Sequence, residues 1–348
     1  VIAVGRPPRG VLVGLGAMGA LHLRVLRAMP EAGLVAVVDP DRARRAAAAP
    51  DGSGLTSHPT LGEALTAHEL DFAGLATPVA LLPELAHEAL SGGLAVLMEK
   101  PMAPDEEAAA AVIADAHERG QVLSVGHVER CNPAVVALKA RLDGGLIGRV
   151  HQMHARRLSP FPNRHGAQGV ALDLATHDVD VMRYLTGSEV ARVSAETAAP
   201  LETGAEDLLC ATLRLDDGAT GLIEANWMTP AKVRELTVLG ERGMVVVDYL
   251  RQELSFYEHP TTVSEWEPLA VMRGGGEGDM VRYALERREP LRVEWEGFLA
   301  AVRDGTRAPV SGEDGLAALS VARAMREAAR RGEVVVPGYR RSEARAGA

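Results

Sequence analysis

The chain has 348 residues, a net charge of −10 and 47% hydrophobic residues. That length accommodates two domains with ordinary cores. The acidic balance argues against nucleic acid as a partner, because such partners are met by a basic face. Cys131 and Cys210 stand far apart, and their spacing suggests neither a disulfide framework nor a zinc site. The apolar stretches are strand-length, too short to span a bilayer, and Val1 to Arg9 carry no signal-peptide pattern. The expectation is a cytoplasmic protein that engages neither membrane nor nucleic acid.

Val11-Leu12-Val13 reads as a strand, and Gly19 to Met29 as a helix stopped by Pro30. Leu34 to Val38 is a continuous apolar run, as expected of a parallel strand buried on both faces. Leu70 to Ala76, Ala95 to Met98 and Val122 to Val125 repeat the theme, with helical stretches near 83–91 and 104–119 between them. This βαβ alternation predicts a doubly wound parallel sheet. The pattern changes after about residue 146. Arg149 to Arg157 alternates as a half-buried strand does, and a helix follows near 173–186. Strands then read at Val190 to Glu196, Leu208 to Leu215, Thr220 to Trp227, Arg234 to Leu239 and Met244 to Tyr249, with a hairpin turn at Asp216-Asp217-Gly218. Such a run of strands predicts a mostly antiparallel sheet. Gly274-Gly275-Gly276 reads as a flexible loop, and helices return near 290–304 and 313–331. The expected division is a nucleotide-binding domain over 1–128, a second α/β domain over 129–338, and a frayed tail over 339–348.

The fingerprint Gly14-Leu15-Gly16-Ala17-Met18-Gly19 follows a strand and opens a helix, and Asp39 closes the next strand. Gly14 permits the tight turn, Gly16 lets the backbone approach a pyrophosphate, and Gly19 lets helix pack on strand. The helix N-terminus then offers free N–H groups to the phosphates. Asp39 is placed to accept hydrogen bonds from the adenine ribose, and a carboxylate there repels a 2′-phosphate. NAD is therefore favoured over NADP, although Arg42 and Arg44 follow closely. Thr77 and Pro78 end a strand whose carboxyl end faces the ligand crevice, which makes them cofactor candidates.

Glu99-Lys100-Pro101 ends another strand, and Pro101 restricts Lys100 to an extended conformation. Asp173 and His177 are four apart and share a face of a helix. A cation, a carboxylate and an imidazole form a proton-handling set, and beside a nucleotide cradle they suggest a nicotinamide-dependent oxidoreductase. The fingerprint, Glu99-Lys100-Pro101, the stretch from Gly126-His127-Val128-Glu129-Arg130 to Asn132-Pro133, and Asp173-Leu174-Ala175-Thr176-His177-Asp178 occur in this order. Together they resemble the glucose–fructose oxidoreductase/inositol dehydrogenase family (Gfo/Idh/MocA). The resemblance implies an N-terminal Rossmann domain that binds NAD(P), and a C-terminal α/β domain with a large open sheet that supplies substrate and oligomer contacts. It implies Lys100 as the catalytic lysine, with Asp173 and His177 as its partners. Glu99 and Lys100 would also border the cofactor. Two positions depart from the family pattern. Leu82 stands where a histidine is common after the Thr-Pro turn, and Cys131 stands where an aromatic residue is common.

Within that family, the segments around 156–164 and 169–180 look like members acting on UDP-N-acetylglucosamine-type nucleotide sugars, which oxidise the C3 hydroxyl. Arg156, Arg157 and Arg164 are then expected to meet a pyrophosphate or carboxylate. His127, Arg130, Arg157, Arg164, Lys100, Asp173 and His177 make up the expected substrate contacts. Other readings remain: a dehydrogenase of a free inositol, sugar or aminocyclitol; a sugar ketoreductase working in reverse; or a non-catalytic NAD-sensing protein. The resemblance also implies a homodimer or homotetramer, built on the uncovered sheet face with apolar strands such as Met244 to Val247.

Overall fold

The computed structural model describes residues 6–162, 168–259 and 278–339. They form two compact units. Of the described residues, the first unit comprises those up to Cys131 together with Glu289–Ser320; the second comprises those between Asn132 and Arg288 and those from Val321 onward. The sequence placed 129–338 in one domain, whereas Glu289–Ser320 returns to the first unit.

In the first unit six strands lie parallel: β1 (Gly10–Val13), β2 (Leu34–Val38), β3 (Thr56–His58), β4 (Phe72–Leu75), β5 (Ala95–Glu99) and β6 (Leu123–Gly126). Their order is β3-β2-β1-β4-β5-β6, the doubly wound arrangement with its switch beside β1. The helices of the sheet are α1 (Ala17–Arg27), α2 (Arg42–Ala48), α3 (Leu61–Ala67), α4 (Leu82–Ser91) and α5 (Glu106–Arg119). Local chemistry sets their ends. The Asp105 side chain accepts from Ala108 N–H at the start of α5, and Gly120 takes the left-handed conformation past its end. Leu12, Val37, Phe72 and Leu97 of the sheet share one core with Trp295 and Phe298 of α8 (Pro290–Asp304). Each such side chain contributes about 1.5–3 kcal/mol by leaving water.

The register aligns the strand ends. Val13 lies opposite both Val38 and Leu75, Leu75 opposite Met98, and Glu99 opposite Gly126. Gly14, Asp39, Thr77, Lys100 and His127 therefore follow along one carboxyl edge of the sheet, where ligands of such sheets bind.

The second unit has eight strands: β7 (Val150–Pro160), β8 (Val190–Ala198), β9 (Leu208–Leu215), β10 (Thr220–Asn226), β11 (Met228–Gly240), β12 (Gly243–Asp248), β13 (Glu253–Glu258) and β14 (Met280–Tyr283). They follow the order β14-β13-β12-β11-β7-β10-β9-β8. Only β7 and β10 pair in parallel, so the sheet is mixed and mostly antiparallel. Alternation gives it two characters: Leu209, Ala211, Leu213 and Leu215 are buried, while Cys210, Thr212 and Arg214 are exposed. The buried face belongs with α6 (Pro133–Asp143) and α7 (Thr176–Thr186). The long helix α9 (Gly312–Arg331) closes the described fold.

The sequence did not anticipate β3, β13, β14, α2, α3 or α6, and it foresaw only Arg234 to Leu239 of β11. The expected loop at Gly274-Gly275-Gly276, and the tail from residue 340, lie outside the described residues.

Candidate active site

The glycine turn is built as its sequence requires. Gly14 has φ +90°, a left-handed conformation costly for other residues. A Cβ on Gly19 would stand 1.9 Å from the carbonyl oxygen of Gly14, where only backbone can move to admit it. Gly19→Ala is therefore expected to abolish measurable NAD binding, as read by titration calorimetry, and to lower the thermal midpoint. Gly16 has open space where a side chain would point, with nothing within 4 Å. It starts α1 without any side-chain cap, so the first-turn N–H groups remain available to an anion. Ala17 and Met18 begin that turn. Next to it, Thr77 Oγ1 is buried and has no hydrogen-bond partner among the described residues. A buried hydroxyl without a partner calls for one, and a pyrophosphate at this turn would meet that need. Pro78 beside it is exposed. The residues present thus fit a dinucleotide.

Asp39 is 4% exposed. Its Oδ2 accepts from Leu15 N–H at 2.8 Å and its Oδ1 from Asp41 N–H at 2.9 Å. Each carboxylate oxygen has a further lone pair for a ribose hydroxyl. Arg44 lies 3.8 Å from Asp39 and 3.6 Å from Asp41. Backbone N–H groups of Ala43 and Arg44 hold the Asp41 carboxyl below its ordinary range. Arg44 is thus already matched by two carboxylates, and Arg45 is engaged with the Asp39 carbonyl at 2.6 Å, an arrangement that disfavours a 2′-phosphate.

Glu99 and Lys100 are half-buried at the end of β5, and the Lys100–Pro101 bond is cis. His127 follows β6 and is 2% exposed. Arg130 is buried and donates to Asp314 Oδ2 at 3.0 Å and to the Pro309 carbonyl at 3.4 Å. Asp314 also accepts from Ser311 N–H while Ser311 Oγ accepts from Asp314 N–H, a reciprocal cap on α9. Arg130 is therefore engaged in fastening the turn after β6 to that cap.

In the second unit Asp173 and His177 sit where a π-helical turn, Ala171–Ala175, runs into α7. Such wide turns are rare and recur at functional sites. From Gly169 to Arg183 every residue is buried except these two, which are half-buried. A segment otherwise packed all round thus opens only through a carboxylate and an imidazole. Glu206 sets its start: Oε1 accepts from Ala171 N–H at 3.2 Å, and its carbonyl accepts from Val170 N–H at 3.0 Å. A negative charge suits a helix N-terminus.

Arg157 anchors α7. Its Nε and Nη2 donate to the two oxygens of Asp178 at 2.8 and 2.9 Å, with side chains 4% and 2% exposed. Its guanidinium also lies over the Tyr249 ring, 5.4 Å from the centroid. Arg156, one residue earlier, faces the other side of the sheet and donates to Glu224 at 3.2 Å and Glu235 at 3.4 Å. Arg156 and Arg157 were expected to meet a pyrophosphate or carboxylate of the substrate; neighbours on a strand point to opposite faces, and Arg157 is instead a buried ion-pair partner of Asp178. Arg164 lies outside the described residues.

His22, Trp295 and Glu206 escaped the sequence reading. His22 carried one signal, a polar residue within the apolar stripe of α1; the other two carried none.

Both units match known proteins. Residues 9–127 match the oxidoreductase family with an NAD-binding Rossmann fold, and residues 135–246 match the GFO/IDH/MocA C-terminal domain. The chain is 30% identical over 291 residues to the UDP-N-acetylglucosamine 3-dehydrogenase of Acidithiobacillus ferrooxidans, covering 84% of this chain and 87% of that one. It is 34% identical over 242 residues to the myo-inositol dehydrogenase Hyg17 of Streptomyces leeuwenhoekii, covering 67% and 74%. The solved structure of UDP-N-acetylglucosamine 3-dehydrogenase GnnA from Acidithiobacillus ferrooxidans aligns with a TM-score of 0.82 at 28% identity, covering 93% of this chain and 98% of that one. The chain belongs to the Gfo/Idh/MocA family of oxidoreductases, and its first unit is an NAD-binding Rossmann domain. Among the described residues no helix is long and apolar enough to cross a membrane, and no group of three or more His, Cys, Asp or Glu side chains is arranged to hold a metal ion.

Proposed function

We propose that the protein oxidises a secondary hydroxyl of a nucleotide sugar, the C3 hydroxyl of a UDP-N-acetylglucosamine-type substrate, to the ketone. The observation that carries this reading is the likeness to a UDP-N-acetylglucosamine 3-dehydrogenase, which extends over 84% of the chain. The motif stretches at Gly126–Pro133 and Gly169–Asp180 support it. The overlap with an inositol dehydrogenase at 34% identity favours a second reading, oxidation of a free inositol or sugar.

The glycine turn, Thr77 and Asp39 would hold the cofactor, with Pro78, Glu99 and Lys100 at its border. When bound, the nicotinamide supplies the acceptor for the carbinol hydride. The substrate carbon becomes a carbonyl as its hydroxyl loses a proton. Lys100 hydrogen-bonds the reacting oxygen and stabilises its alkoxide character. Asp173 orients the His177 imidazole or binds a neighbouring hydroxyl. The proton passes to His177 or to Lys100. His127 lies beside the substrate, and Arg164 is the arginine assigned to the pyrophosphate. Copies of the chain associate as a dimer or tetramer through the open face of the eight-stranded sheet, where Met244 and Val246 are half-buried.

The test is nicotinamide absorbance on mixing protein and NAD with UDP-N-acetylglucosamine, myo-inositol or glucose. Reduction with the nucleotide sugar alone is the expected result. Reduction with the free polyol alone overturns the substrate and leaves the family unchanged.

A further inference from the structure

His22 and Trp295 belong to no motif, yet they reach the Glu-Lys-Pro turn. His22 lies on α1 with its side chain 1% exposed. Its Nε2 stands 2.9 Å from Glu99 Oε1. On the other side of the ring, Trp295 Nε1 donates to His22 Nδ1 at 2.9 Å. An indole N–H only donates, so Nδ1 must present its lone pair. The proton of the neutral ring then sits on Nε2, and Nε2–H donates to the Glu99 carboxylate. The second oxygen of that carboxylate, Oε2, accepts from Lys100 N–H at 3.2 Å.

Trp295 is itself immobilised. It is fully buried, and its ring lies 5.7 Å from Phe72 and 5.6 Å from Phe298, centroid to centroid. Its far edge fills the space over Gly74, where a Cβ would come within 2.7 Å of Trp295 Cη2. Three hydrogen bonds thus run from a packed core residue to the backbone of Lys100.

We propose that Trp295, His22 and Glu99 are positioning residues for Lys100: the indole selects the imidazole tautomer, the imidazole holds the carboxylate, and the carboxylate holds the lysine's backbone. The inference rests on the reading of Lys100 as a catalytic group. It also gives Glu99 a role besides bordering the cofactor.

The chain has two other lysines, Lys139 and Lys232, which serve as internal controls. The experiment measures acetylation of each lysine by acetic anhydride in the NAD-loaded protein, followed by peptide mass spectrometry, and pairs it with kcat and the KM for NAD. Three variants are compared. Trp295→Phe removes the donor and keeps an aromatic ring. His22→Asn keeps an acceptor near Nδ1 but does not reach Glu99. His22→Gln places an amide N–H near the position of Nε2. Trp295→Phe and His22→Asn are expected to change the Lys100 rate severalfold with Lys139 and Lys232 unaltered, and to lower kcat about ten- to a hundredfold with little change in KM for NAD. His22→Gln is expected to recover most of both. An unchanged Lys100 rate and kcat in Trp295→Phe overturn the proposal, as does equal loss in the Gln and Asn variants. The acetylation needs no substrate, so it judges the positioning even if Lys100→Met were to retain turnover and remove Lys100 from the catalytic set.

Discussion

Lys100→Met is expected to lower turnover about a hundred- to ten-thousandfold, the range of a lost proton-handling group, while NAD affinity stays within a few-fold of the parent. The two readouts separate because the glycine turn and Asp39 lie elsewhere on the sheet edge, whereas Lys100 is expected only to border the cofactor. Gly14, Gly16 and Gly19 shape the phosphate turn, and Asp39 closes β2. The methionine keeps the length and apolar stem of lysine and removes only the ammonium. Stopped-flow absorbance with the sugar that reduces NAD gives turnover, and titration calorimetry gives affinity. A parallel His177→Asn variant decides which group takes the proton. The base is the residue whose loss abolishes the acid limb of the pH profile of kcat. Turnover retained in Lys100→Met removes the lysine from the mechanism.

Arg157→Leu is expected to destabilise the second unit by about 3–5 kcal/mol, because it leaves the Asp178 carboxylate buried without its bidentate partner. Both side chains are nearly inaccessible, and together they join β7 to the first turn of α7. His177 is the residue immediately before Asp178, so the loss reaches the site as well: turnover falls in the fraction that remains folded. The double variant Arg157→Leu with Asp178→Leu is expected to regain most of the stability, since removing a whole buried pair costs far less than removing half of it. Thermal and urea unfolding of the two single variants and the double variant measure the coupling. Additive losses would show that the pair contributes only as two independent packing groups.

Strands with at least one buried face were legible because their sequence shows it. Leu34 to Val38 is a continuous apolar run and forms β2 with those limits, and the alternation over Leu208 to Leu215 forms β9. The glycine spacing was legible because two of its members answer steric demands, Gly14 with φ +90° and Gly19 against the Gly14 carbonyl. Edge strands left little trace. Thr56–His58 has no buried residue, and β14 is mostly exposed. The first half of β11 includes Pro230 and faces outward, so only its inner half carried the strand pattern. The return of Pro290–Asp304 to the first unit was hidden for another reason. The helix was visible, but its partner His22 lies 273 residues away, and no local pattern encodes that pairing. Arg156 and Arg157 show the same limit from the other side. Their chemistry was plain, but strand geometry and two distant sets of carboxylates decided what each of them holds.

Asp39 has a consequence for how cofactor choice can change. The carboxylate proposed to meet the ribose also receives the Leu15 N–H at 2.8 Å, so on that proposal one side chain would both read the cofactor and brace the glycine loop. A change at this position toward tolerance of a 2′-phosphate would remove a repulsive charge and unfasten the glycine turn in the same step. A variant lineage acquiring NADP use must then pass through side chains that still accept from Leu15 without carrying charge, or must first brace the loop by other means. With Asp39 in the proposed role, cofactor preference in this scaffold would be mechanically coupled to loop stability, and the routes open to drift would be few.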